Sequence, residues 1–194
     1  RGDVIALAYH VDYWDYLGWK DTLATAENTE RQNLYNKSFG NRSVYTPQFI
    51  VNGRKHLSGA KTGMVETALA SLDRKGNGIS VDMSAETGGD SIVIAVGAGS
   101  SGVAKAHVVL AFFEPVHRVR IKGGKNGGRS FAYRNSVLAT QSVGIWHGRA
   151  ERFELPTSVF DGRPSGGAVL LQQVEANGLP GPIIGATLIP APGS

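Results

Sequence analysis

The chain has 194 residues, 41% apolar and 19% charged, a composition that supports a packed core and excludes disorder as its ground state. Its formal charge of +4 comes from basic residues scattered along the chain without interleaved aromatics, which argues against nucleic acid as a partner. There is no cysteine, so the chain offers no disulfide, no thiolate nucleophile and no Cys-type zinc site, and no run approaches the roughly 18 apolar residues of a membrane span.

The first element is the run Val4 to Val11, apolar throughout except for His10. Such continuity predicts a strand buried on both faces, as in the middle of a mixed or parallel sheet. A polar-aromatic loop follows through Asp12, Tyr13, Trp14, Asp15 and Tyr16. Thr25 is a candidate N-cap, with Glu27 and Glu30 in the first turns of a helix running to Phe39. Tyr45-Thr46-Pro47-Gln48 then leads into Phe49-Ile50-Val51, Asn52-Gly53 and Arg54-Lys55-His56-Leu57. Asn-Gly between two short runs predicts a hairpin, because both turn residues must accept positive φ. Val65, Ala68, Leu69 and Leu72 recur at helical spacing, and Gly76 stops that helix.

From Ile79 onwards the helical period disappears. Short β-rich runs at 79–83, 91–96, 107–113, 116–121, 137–145, 151–155, 168–174 and 183–189 are separated by Gly, Pro, Asn and Asp clusters. This spacing predicts a sandwich or barrel, with a boundary near Lys75–Gly78. Gly97-Ala98-Gly99-Ser100-Ser101-Gly102 fits a dinucleotide-binding pattern, but Val103 continues as a strand, so no helix N-terminus stands ready for a pyrophosphate. It reads as a hairpin loop. Gly123-Gly124-Lys125-Asn126 lacks the hydroxyl residue of a P-loop. Arg118, Arg120 and Lys122 alternate with Val119 and Ile121, and Lys125, Arg129 and Arg134 follow, giving one strand a basic, solvated face.

The order strand, helix, Thr-Pro, strand, Asn-Gly hairpin, helix resembles the second half of a thioredoxin fold, whose proline before the hairpin is cis and faces the active cysteines. The wording of Ala8-Tyr9-His10-Val11-Asp12-Tyr13-Trp14-Asp15-Tyr16-Leu17-Gly18-Trp19-Lys20-Asp21 and of Val44-Tyr45-Thr46-Pro47-Gln48 is more specific. It is similar to a bacterial family of secreted thioredoxin-like proteins catalogued as domain of unknown function 1223. Tyr133-Arg134-Asn135-Ser136-Val137, Val143-Gly144-Ile145-Trp146-His147-Gly148 and Gly166 to Gln172 also resemble it, so the likeness spans the chain. It implies an incomplete thioredoxin-like α/β portion over residues 1–77, followed by an antiparallel β-sandwich over residues 78–194. It further implies a secreted or periplasmic location, and a strand and Cys-x-x-Cys helix ahead of Arg1, about 20–30 residues at average element lengths. No residue of this chain takes the role of those cysteines, so no catalytic residue, metal ligand or cofactor is assigned.

The candidate site is therefore a binding site, made of Tyr45, Thr46, Pro47, His10, Asp12 and Trp14. A cis Thr46–Pro47 bond would expose the Thr46 main chain to an extended peptide, whereas a trans bond would make a plain turn before the strand. His10 beside Asp12 and Asp15 could act as base, proton shuttle or metal ligand, or could satisfy one buried hydrogen bond while the aromatic loop packs. The second option asks for fewer converging groups, since a metal needs three or four donors. Three functions stay open: thiol–disulfide exchange on protein substrates where a Cys pair is present upstream, non-enzymatic protein or peptide binding, and hydrolysis or metal chemistry at His10.

Overall fold

Thr25 accepts the Asn28 N–H on its side chain and opens α1 (Ala26–Ser38), with Glu27 in the first turn and Lys37 in the last, as the helix dipole favours. The computed structural model describes residues 4–59, 62–100, 105–123 and 127–190, so the last residues of the glycine pattern at 97–102 and the segment around Lys125 lie outside the described residues. Strands β1 (Gln48–Val51) and β2 (Lys55–Ser58) form the predicted hairpin. Its connection is Asn52-Gly53-Arg54, with φ of +49° and +63° at the first two residues. The loop thus holds three residues, and Arg54 belongs to the turn. A Cβ on Gly53 would lie 2.5 Å from the Gly181 carbonyl oxygen, so only glycine lets this turn come so close. Helix α2 (Thr62–Arg74) packs Ala68 and Leu72 on Val51 of the hairpin.

The remaining elements are β3 (Met83–Gly88), β4 (Ser91–Val96), β5 (Ala106–Arg120), β6 (Ser130–Trp146), β7 (Glu151–Pro156), β8 (Gly166–Val174) and β9 (Pro180–Ile189). They make a three-stranded sheet in the order β3-β4-β7 and a four-stranded sheet in the order β6-β5-β8-β9, antiparallel throughout. Ile92 and Ile94 of β4 meet Val108, Leu110 and Phe112 of β5 and Val169 and Leu171 of β8, all fully buried with Trp146. Alternation accounts for this: on β4 every second residue is apolar and buried. Beyond residue 78 the described residues hold no α-helix.

This architecture overturns the expected fold class. In place of a thioredoxin-like α/β portion followed by a sandwich, the described residues form nine strands in three antiparallel sheets with two short helices. The reading failed at Val4–Val11, where no strand forms. Only Ala8 makes a parallel bridge, to Ser136, through Ala8 N–H to the Asn135 carbonyl at 2.9 Å and Val137 N–H to the Ala8 carbonyl at 2.8 Å. Ile5, Leu7 and Tyr9 lie on Ala111, Phe113, Val137 and Ala168, the face of the four-stranded sheet turned away from the main core, while Val4 and Ala6 are exposed. An apolar run that looks doubly buried is therefore a one-sided cover. Continuous apolarity cannot distinguish the two, because Ala and Val tolerate exposure.

Helix α1 covers the same sheet face with its polar side. Asn28, Gln32, Tyr35 and Asn36 are its buried residues, and Asn28 Nδ2 donates to the Val137 carbonyl at 3.0 Å. Strands β5 and β6 outrun their neighbours: β8 pairs with β5 only over His107–Phe113, whereas β5 and β6 stay paired to Arg120 and Ser130. The overhang is a two-stranded arm with Arg118, Arg120 and Arg134 exposed on one face, as the alternation predicts, and His117 and Tyr133 on the other. No helix among the described residues is long and apolar enough to cross a membrane.

Removing the Asn28 amide leaves a buried carbonyl without its donor. Asn28→Ala is expected to lower the unfolding free energy by about 1–3 kcal/mol, with the urea m-value unchanged. A loss under about 0.5 kcal/mol, the range of neutral surface changes, would show that the helix is held by contact area alone.

Candidate functional site

The loop after the N-terminal cover is built on two side chains of α1, one turn apart. The Thr29 hydroxyl donates to Asp12 Oδ1 at 2.7 Å and accepts the Asp12 N–H at 3.1 Å. Gln32 Oε1 accepts the Tyr13 hydroxyl at 2.9 Å, while its Nε2 donates to the Tyr45 carbonyl at 2.9 Å and to Gln48 Oε1 at 3.0 Å. One buried amide therefore ties the aromatic loop to the segment before β1. The tie is completed outside by Trp14 Nε1, which donates to Thr46 Oγ1 at 3.0 Å. The Thr46–Pro47 bond is cis. The Tyr45 hydroxyl and His56 Nδ1 are 2.6 Å apart, and the His56 ring lies 4.9 Å from that of Phe39.

Past Trp14 the chain makes one 3₁₀ turn, Asp15–Leu17, ended by Gly18 at φ +94°. That turn points its apolar residues outward. Trp14, Tyr16 and Leu17 are 45%, 76% and 58% exposed, and the Trp14 and Tyr16 rings stack with centroids 6.3 Å apart. Among the described residues, the Thr46 main chain has no hydrogen-bond partner.

His10 occupies a separate, more buried position. Its Nδ1 lies 2.6 Å from Asp21 Oδ2 and its Nε2 3.3 Å from Ser136 Oγ. A carboxylate only accepts, so Nδ1 carries a proton toward Asp21, and Nε2 and the Ser136 hydroxyl share the second hydrogen bond. The order serine, histidine, aspartate is that of a nucleophile, its base and an orienting acid. Ser136 is 0% exposed, however, and no acyl group can reach its oxygen. The relay anchors the loop to β6, with Tyr133 set edge-on against the imidazole at 4.8 Å. No group of three or more His, Asp or Glu side chains suited to a metal occurs among the described residues.

Of the predicted residues, the structure brings together Trp14, Thr46, Pro47 and Tyr45, and turns Asp12 and His10 inward as supports. Sequence reasoning missed Thr29, Gln32, Asp21, His56 and Ser136. The spacing of Thr29 and Gln32 on one helix face was a usable signal, but Ser136 reaches His10 across 126 positions, and no local pattern marks it.

Partial burial raises the pKa of Asp21, but the hydrogen bonds from His10 and the Leu23 N–H, with the nearby His10 and His117 charges, outweigh it and hold the carboxyl below its usual value. Burial, then the Asp21 charge, raises that of Tyr133. A depressed folded pKa contributes stability that is fully present above the unfolded pKa and is lost as pH falls through the folded one. Asp21→Asn is therefore expected to lower Tm at pH 7 and to flatten the fall in stability below about pH 4. An acid limb as steep as that of the parent chain would show that the pair carries no linkage.

Comparison with known proteins sets these features in a family. The model of the family described as "Protein of unknown function (DUF1223)" matches residues 1–172. The chain is similar to the X-ray structure of a structural-genomics target from Agrobacterium tumefaciens, with a TM-score of 0.89 and 42% identity, over 100% of this chain and 83% of that one. No functionally curated protein matches it. With most of its length inside the family model, the chain belongs to the DUF1223 family of proteins of unknown function.

Proposed function

We propose that this chain binds protein or peptide segments without chemical turnover, at the surface formed by Trp14, Tyr16, Leu17 and the segment from Tyr45 to Pro47. The observation that carries the reading is a trio of exposed apolar side chains on a loop that hydrogen bonds hold in place. Stacked aromatics of this kind offer a large contact area and lose little rotamer freedom on binding. Clustered apolar exposure on a soluble surface marks interaction sites. The unpaired Thr46 main chain supplies a donor and an acceptor beside the rings, which suits an extended segment laid alongside in strand fashion.

Thiol–disulfide exchange needs a thiolate, and these 194 residues contain no cysteine. The polypeptide is expected to give no insulin reduction above the rate of dithiothreitol alone, and measurable turnover by the pure chain would reverse that expectation.

The binding surface is tested with fluorescein-labelled, carboxymethylated α-lactalbumin as an unfolded polypeptide. Fluorescence anisotropy should show saturable binding, weakened at least about tenfold (about 1.4 kcal/mol) in Trp14→Ala and Tyr16→Ala. Both residues are exposed, so Tm should stay within a few degrees of the parent. No saturable binding, or equal binding by both variants, would sink the reading.

A further inference from the structure

Beyond that surface lies a cleft of about 540 Å³, walled by the end of α1, the β1–β2 turn, the last turn of α2 and the β8–β9 connection. Its volume falls in the range of small-ligand sites, roughly 300–1,000 Å³. Three cations line it, Arg54, Lys55 and Lys75, together with Ser71, Asn77 and a single carboxylate, Glu175. None of these four charged groups forms an ion pair with another of them among the described residues. The turn decides the geometry. Because the hairpin loop has three residues, Arg54 sits at its end with its N–H on the Val51 carbonyl at 3.0 Å, and its side chain leaves toward the cleft.

Arg54 Nε is removed from solvent and has no acceptor among the described residues. A guanidinium N–H withdrawn from water without a partner is costly, and an anion held by the terminal N–H groups of the same guanidinium would offset that cost through charge-assisted hydrogen bonds. Both helices end at this cleft, and each C-terminus adds about half a negative charge. Three cations still outweigh these ends and Glu175, so the cleft stays positive. The terminal N–H pair of Arg54 suits phosphate oxygens, and the two exposed lysines add mobile charges at the rim. Glu175 would repel a second anionic group but accepts from hydroxyls, as do the side-chain oxygens of Ser71 and Asn77.

We propose that this cleft binds a small phosphomonoester bearing hydroxyl groups, a phosphorylated sugar or polyol, with the phosphate on Arg54, Lys55 and Lys75 and a hydroxyl on Glu175. The site is independent of the polypeptide-binding surface, and either can fail without the other.

The test titrates the full chain with glucose 6-phosphate, inorganic phosphate and glucose in turn, following the Gly53 and Lys55 amides by ¹H–¹⁵N NMR. Saturable shifts are expected with glucose 6-phosphate, at half-saturation at least about fivefold below that for inorganic phosphate, and no shift with glucose. Arg54→Gln should weaken glucose 6-phosphate at least about tenfold. Lys75→Gln, an exposed position that leaves the fold intact, should weaken it about threefold. Glu175→Ala should remove the preference over inorganic phosphate. Absence of saturable shifts, equal affinity for the two phosphates in the parent chain, or undiminished binding in both Arg54→Gln and Lys75→Gln would overturn the proposal.

Discussion

Helix α1 buries amides and hydroxyls where most helices bury hydrocarbon. Asn28, Gln32, Tyr35 and Asn36 face inward, and a buried polar group without a partner is expensive. Each side chain therefore specifies a partner: Asn28 takes the Val137 carbonyl, Gln32 the Tyr45 carbonyl, Tyr35 the Gln172 amide at 2.6 Å, and Asn36 the Asn41 carbonyl. Apolar contact is non-directional and would let such a helix slide or roll. Hydrogen bonds have directions, so this set fixes the helix over β6 and β8 in one orientation.

The surroundings inherit that orientation. Arg31 lies between the Tyr9 and Tyr35 rings, 5.3 and 5.1 Å from their centroids, and donates to Gln172 Oε1 at 3.0 Å. The N-terminal cover is thereby clamped between helix and sheet. Burial pushes the Tyr9 pKa upward against the opposing influence of Arg31, in keeping with a hydroxyl sealed beneath the helix. Thr29 and Gln32 project from the same helix to hold the aromatic loop, and its last residues, Ser38 and Phe39, form a wall of the basic cleft. Both proposed surfaces depend on one polar helix face. Neither could be built on a helix free to shift by half a turn.

The arm of β5 and β6 supplies the other half of the support. Its inner face brings Tyr133 and His117 toward His10 and Asp21, and the Gly123 position comes so near Gly18 that a Cβ would lie 2.8 Å from the Gly18 carbonyl oxygen. The outward row of Arg118, Arg120 and Arg134 is what a solvated strand face requires.

What the sequence determined by itself is local. The Thr25 cap, the positive φ of Asn52 and Gly53, the helix ending before Gly76 and the alternation along Ser91–Val96 all follow from interactions within a few residues. The exposed basic face of Arg118 and Arg120 was equally legible, because period-two alternation needs no knowledge of the partner. The sequence also brought Trp14 and Thr46 under suspicion together through family wording, though not the hydrogen bond between them. Only the tertiary structure decided that Val4–Val11 lies on a sheet face without joining a sheet, that α1 turns its amides inward, and that Arg54 overhangs a cleft. The reason is physical. A strand and a one-sided cover present the same apolar residues, and a polar helix face reads as solvated until a distant Val137 or Gln172 is brought within 3 Å of it. Partners so far apart in sequence meet through the packing of α1 on the four-stranded sheet, and no window along the chain contains both.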